Sequence, residues 1–487
     1  MSFLDPPARQ FSPRVIQIVA LIGVAASSFT ITVLSAALPD IAEDLDSSTS
    51  TITWVIAGPL LAFAVFTPMA GKLGDLYGHR RMYLIGFTGA AVFSFATAAA
   101  PNAGFLIAGR ILAQAFSSST GPSALAIMMR AFPDDERTSV AGVWSAVLAA
   151  SPALGVVIGG PLIDATSWRT LFLIQGVGMV VAVIVSSRVL PESERRDDLT
   201  FDLLGGVFLG VGIAAILIPL NRAGSLGWDH PVVWGGLVLA PVALALFIRW
   251  EQRTSHPLIE LPVLAERNVA LPLVSQLFLN GPYMAGLVLT SLMLGADSTF
   301  AYSTTAISLM ILPRPIMFAL GAWLADRLVN RLGARPVVIL GCVGIFAGLA
   351  AIGLGAVTTS LVFVVVGVSI AGTGSGIARP PIIAALTDAV GEQDMGVGTG
   401  MLNMTGQIGA AAGISLLSAL VTEGSTPGQF LAVFLIAAGV SVLAIITAGA
   451  IRFPDPGPPD RGEPTRSNAS LPTAPDLATV DTPRIRQ

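Results

Sequence analysis

Long apolar blocks alternate with short polar stretches along almost the whole chain. A helix that crosses the hydrocarbon core of a bilayer needs about 20 apolar residues. Reading blocks of that length predicts about fourteen spans. Six cover about 15–38, 51–70, 82–100, 105–129, 139–163 and 170–189. Two follow at about 203–220 and 232–250, and six more at about 271–294, 304–325, 337–355, 361–385, 399–421 and 430–451. The expected organisation is an N-terminal stretch (1–14), a six-helix half (15–190), a linker with two extra spans (191–270), a second six-helix half (271–451) and a tail (452–487). The tail is rich in Pro, Thr, Asp and Arg and cannot bury a core, so disorder is expected there. The fold class expected is an all-α membrane protein.

Charge supports this count. Charged residues make up 11% of the chain, against about 25% in soluble domains. With the N-terminus inside, Arg80, Arg81, Arg130, Arg137, Arg195, Arg196, Arg253, Arg267, Arg327, Arg331 and Arg335 fall on cytoplasmic loops. Only Arg169 and Arg222 fall outside. This is the positive-inside pattern, and one missed span would reverse it downstream. Both termini are therefore expected in the cytoplasm. The net charge of −4 includes no basic stripe that would suit nucleic acid. Lys72 is the only lysine, an arginine bias that fits a GC-rich bacterial genome. The lone Cys342 excludes an intramolecular disulfide. No phosphate-binding loop is present. His79, His230 and His256 lie in loops without zinc spacing. No cofactor, metal site or enzymatic centre is expected.

One polar motif occurs twice. Gly71-Lys72-Leu73-Gly74-Asp75-Leu76-Tyr77-Gly78-His79-Arg80-Arg81 follows the second span. Leu324-Ala325-Asp326-Arg327, continuing through Arg331 to Gly333-Ala334-Arg335, follows the tenth, with about one extra helical turn between its Asp and its Gly. A motif repeated in corresponding loops points to a duplicated transporter. The first copy resembles the signature loop of the major facilitator superfamily. Two extra spans between the halves resemble its fourteen-span drug:proton antiporter branch. Ala37-Leu38-Pro39, Arg110 with Gln114, Ser167-Trp168-Arg169 with Phe172, and Gly155 with Gly159-Gly160 are similar to further segments of that branch. The last set resembles its antiporter motif.

The resemblance implies a monomeric transporter in a bacterial plasma membrane. It would export a small amphipathic compound in exchange for protons, by rocking of two halves, with membrane lipid around it. It also implies a conformational latch at Gly71, Asp75, Gly78, Arg80, Arg81, Asp326, Arg327, Gly333 and Arg335. Arg80 and Arg81 could bridge to Asp75 or to lipid phosphates. The alignment places Thr30 where the branch has its first-span acid. Coupling candidates are therefore Arg110 and, at the outer ends of motif-bearing spans, Asp40 and Asp164.

Polar residues within the spans suggest a substrate path. Thr32 shares a helix face with Ser28 and Ser35. Gln276, Asn280 and Tyr283 share one in the ninth span, and Asn403 with Gln407 in the thirteenth. Arginines within spans are costly and usually face a cavity or a partner; here they are Arg110, Arg314 and Arg379. Arg314 lies between Pro313 and Pro315, where a helix broken at the midplane is expected. The cavity candidates are Thr30, Thr32, Gln276, Asn280, Tyr283, Arg314, Asn403 and Gln407. A cationic centre there favours a neutral or anionic substrate, or a resident carboxylate brought to Arg314 by folding. Other readings are an uptake permease or uncoupled facilitator, a lipid exporter, and a non-transporting sensor, though no long soluble signalling domain is visible.

Overall fold

The structure, a computed structural model, describes residues 11–28, 30–133, 137–192, 202–227, 229–254, 257, 264, 266–390, 395–422 and 424–453. Within its helices, the side chains of Ser28, Thr30, Thr32, Gly71, Lys72 and Asp75 lie outside that description, as does the tail beyond residue 453.

Each apolar block is helical, and no strand occurs among the described residues. The first block comprises α1 (Pro13–Ser28), α2 (Thr30–Ala36) and α3 (Leu38–Asp44). A short α4 (Thr49–Ile52) leads into α5 (Trp54–Tyr77), followed by α6 (His79–Ala98). The fourth block is α7 (Ala103–Ser117) and α8 (Thr120–Ala131); α9 (Arg137–Ala165) and α10 (Trp168–Val189) follow. Next come α11 (Leu203–Leu226) and α12 (Pro231–Glu251). The remainder is α13 (Arg267–Gly295), α14 (Thr304–Ile311), α15 (Pro313–Leu332), α16 (Ala334–Thr358), α17 (Leu361–Val390), α18 (Met395–Ser418) and α19 (Pro427–Ala450). Among the described residues, eight helical stretches are long and apolar enough to cross a membrane.

Local sequence explains the breaks. Ser118 and Ser119 turn their hydroxyls onto the carbonyls of Ala115 and Phe116, competing with the helix ladder between α7 and α8. Pro313 and Pro315 have no amide hydrogen, so the carbonyls of Leu309 and Ile311 lose their helical donors. The expected midplane break is small: Leu312 alone separates α14 from α15 and keeps right-handed helical angles. The prolines therefore soften this helix without parting it into two.

Helices α1–α10 pack among themselves, as do α13–α19. Between the two sets, α5 meets α18 and α9 meets α14. These are the second and fifth apolar blocks of one set against the fifth and second of the other, a reciprocal arrangement. Small residues permit the close approaches that drive helix association in lipid. A Cβ on Gly413 of α18 would lie 2.3 Å from the carbonyl oxygen of Gly281 in α13. Gly341 of α16 similarly lies against the backbone of Gly374 in α17. The α11–α12 hairpin packs where α5 meets α18. There Gly206 and Gly210 lie against Met69 and Val65.

Candidate functional site

The two repeated loops share one backbone device. Gly78 between α5 and α6 has φ +96°, and Gly333 between α15 and α16 has φ +84°. Only glycine enters that region without steric cost. Each glycine ends one helix and begins the next. The longer second copy therefore reaches the same turn, with Asp326 moved back into α15, where it is exposed. Arg80 is fully buried. Its Nη2 donates to the Ser187 carbonyl at 2.6 Å, in the last turn of α10, and its amide donates to Glu192 Oε1. A guanidinium suits the negative end of a helix. Arg80 thus holds α6 to α10 within one set; the expected bridge to Asp75 lies outside the described residues. Arg335, two residues after Gly333 as Arg80 is after Gly78, is exposed. Arg327 is exposed too and stacks on Trp323 at 3.8 Å.

The described side-chain hydrogen bonds between the sets gather at the other end of the bundle. Ser303 caps α14 through the Ala306 amide, and two acids from the first set meet that helix start. Asp40 of α3 accepts from the hydroxyl of Thr304, which is fully buried. Asp164 Oδ2 accepts from the Thr305 amide at 2.9 Å. Gly160 lets α9 come this close, since a Cβ there would lie 2.7 Å from Ser308 Oγ. The adjacent Gly159 faces Val33 of α2, and Gly155 is buried. Thr53 with Ser418 (3.0 Å) and Ser291 with Ser35 (3.4 Å) complete the seam. Burial pushes the Asp40 carboxyl above its ordinary pKa; the Thr304 bond opposes the shift, while Asp164 and Glu43 add to it. Nearby, the hydrogen bond from Arg169 draws Asp44 below its ordinary value. That pair is 2.6 Å apart, and Trp168 Nε1 bonds the same oxygen.

Three arginines lie inside the helix bundle. Arg110 is 5% exposed, with its guanidinium carbon 5.3 Å from the Phe172 ring centre. It makes no hydrogen bond among the described residues, to Gln114 or otherwise, and its Nε is buried without an acceptor. Arg314 is 4% exposed, lies 3.8 Å over the Tyr283 ring and donates through Nη2 to the Tyr283 carbonyl. Arg379 lies over Phe318 at 5.9 Å. With its amide oxygen facing Arg379, Gln276 accepts from Nε at 3.2 Å and Nη2 at 3.0 Å.

The structure therefore joins Gln276, Tyr283 and Arg314 into one group and adds Arg379. Asn280 turns instead to α18, donating to the Gly406 carbonyl at 2.7 Å. Gln407 is half-buried and Asn403 exposed. Thr304 and Thr305 were not singled out from sequence, although Ser303-Thr304-Thr305 opening a helix is a readable cap signal. Asp202 and Glu251 of the hairpin were also missed. Both are buried, their carboxylates flank Gly205, and Trp250 Nε1 donates to Asp202 at 2.7 Å.

Comparison with known proteins adds to this geometry. Residues 20–414 match the Major Facilitator Superfamily model, with a second match over 277–484. The chain is 29% identical to a methylenomycin A resistance protein of Streptomyces coelicolor, covering 89% of this chain and 91% of that one. It is 28% identical to a tetracenomycin C resistance and export protein of Streptomyces glaucescens, covering 82% and 74%. It is 27% identical to the multidrug resistance protein Stp of Mycobacterium tuberculosis, covering 80% and 72%. Among solved structures, a mutant of the nucleoside transporter NupG superposes with TM-score 0.67 at 14% identity, over 90% of this chain and all of that one. That likeness shows the fold alone.

Proposed function

The chain belongs to the Major Facilitator Superfamily, and we propose that it exports a small amphipathic compound across the bacterial plasma membrane in exchange for protons. It is a multi-pass, non-enzymatic transporter of the drug-efflux type. In this reading fourteen spans cross the bilayer, both termini are cytoplasmic, and the signature loops mark the inner side. The halves rock about the α5–α18 and α9–α14 contacts.

The observation that carries the alternating-access reading is the gathering of described cross-half bonds at the end away from the signature loops. With the loops inside, that end is the outer gate, and this conformation is closed to the outside. Asp40 supplies the proton-sensitive step of closure. Desolvation favours its neutral form, so a proton taken up from outside favours the closed gate. Arg110, buried against Phe172, acts in coupling within the first half, and Asp75 biases the inner latch.

Thr30 at the usual acid position favours a second reading, an uncoupled facilitator. Proteoliposomes separate the two. An imposed pH gradient drives a coupled exporter to concentrate substrate against its gradient, whereas a facilitator only equilibrates it. A screen of resistance in a strain lacking its own exporters identifies the compounds to use.

A further inference from the structure

The second six-helix set holds two arginines on one side of α13, and its spans contain no Asp or Glu. Among the described residues, neither arginine meets a carboxylate. Guanidinium stays protonated and carries five N–H donors. Arg314 uses one of them, on the Tyr283 carbonyl. Arg379 uses two, on the Gln276 amide oxygen. Most donors of both residues therefore have no acceptor among the described residues.

The remaining neighbours are aromatic or backbone. Tyr283 lies under Arg314 and Phe318 under Arg379. Gly372 and Gly376 of α17 pack bare against Arg314 and Phe318 of α15. Along α13, Gln276 and Tyr283 are seven residues apart, so these two partner positions lie about 10 Å apart along that helix. Aromatic faces attract a cation but do not neutralise it. Two uncompensated cations inside a bundle are costly, and an anion placed near them repays that cost.

We propose that Arg314, Arg379, Tyr283 and Gln276 form an anion-recognition site, and that the exported compound carries a carboxylate or similar acidic group on a flat apolar body. This rests on the reading of the chain as an exporter. The acid takes the free guanidinium donors, with bidentate geometry available at each arginine. The flat body stacks beside Tyr283 and Phe318. Permanently cationic compounds are excluded by repulsion.

The test measures binding to the purified full chain in detergent, by fluorescence polarisation. The probes are carboxyfluorescein, an uncharged ester of it, and a cationic rhodamine. The expected result is tightest binding of the carboxylated dye, weakened about 10- to 100-fold in Arg314→Gln and in Arg379→Gln. Glutamine at 314 removes the charge and ends two bonds short of Nη2, so the bond to the Tyr283 carbonyl is lost with it. Arg379→Gln touches no backbone bond described here and serves if the first variant folds poorly. Thermal unfolding reports folding in both. Equal or tighter binding of the ester or the rhodamine, no binding of the carboxylated dye, or unchanged binding in two folded variants each overturns the site. Transport is scored separately in proteoliposomes. Anion-selective binding without transport sinks the export reading and leaves the anion site standing, whereas transport without anion selectivity does the reverse.

Discussion

Replacing Asp40 by Ala should open the outer gate. Its carboxylate accepts from the Thr304 hydroxyl, and Thr304 has no exposed surface. Alanine leaves that buried hydroxyl without its partner, at a cost of about 1–3 kcal/mol to the closed state. This corresponds to about a 5- to 150-fold shift toward the open state. Asp164 is exposed, so its bond to the Thr305 amide is screened and contributes about 0–1 kcal/mol. The readout is a Ser308→Cys reporter in a Cys342→Ser background. Ser308 is fully buried beside Gly160. An impermeant maleimide applied from outside should label it slowly in the parent and faster with Asp40→Ala. The pH dependence has a definite sign. Asp40 is raised in the closed state, mainly by desolvation. Protonation therefore supports closure, and this support is lost as pH rises through the raised value. Reporter labelling, normalised to an exposed cysteine, should fall as the outer medium is acidified toward the ordinary carboxylate range. Asp40→Ala should abolish that dependence. Equal labelling rates in the parent and in the Asp40→Ala, Asp164→Ala double variant would refute the gate.

Three further outcomes follow from the packing and the topology. Arg80→Ala removes a charge-assisted bond to the end of α10 and should cost about 1.5–3 kcal/mol, read as a lower unfolding midpoint in detergent. Arg335→Ala, at the exposed equivalent, should change that midpoint little. Gly413→Val drives a side chain into the Gly281 carbonyl and should destabilise by about 1–3 kcal/mol. By contrast, Gly439→Ala, with open space around it, should be neutral or stabilising by up to about 1 kcal/mol. A Gln487→Cys variant in the Cys342→Ser background should resist an impermeant reagent outside intact cells; labelling there would place the C-terminus outside and invert the proposed gate.

The sequence by itself determined what depends on neighbours along the chain. Helix positions were legible because burial in lipid requires about 20 apolar residues in a row, and α5, α10, α13 and α19 lie in such blocks. The two turning glycines were legible because Gly78 and Gly333 sit in a repeated motif. Arg314 stood out because a charge in an apolar block is rare. The partners were not legible. Arg314 meets Tyr283 across 31 residues of sequence, Asp164 meets Thr305 across 141, and Arg80 meets Ser187 across 107. Hydropathy and periodicity say that a residue must be covered, not which helix covers it. Asn280 shares the expected face with Gln276 yet bonds to α18, because Gly406 and Gly409 let that backbone approach. The tertiary structure alone decided that Arg80 is buried while Arg335 is exposed, and that two acids of one half meet the start of a helix of the other. Those outcomes depend on how closely helices approach one another, and that distance is set by packing of side chains far apart in sequence.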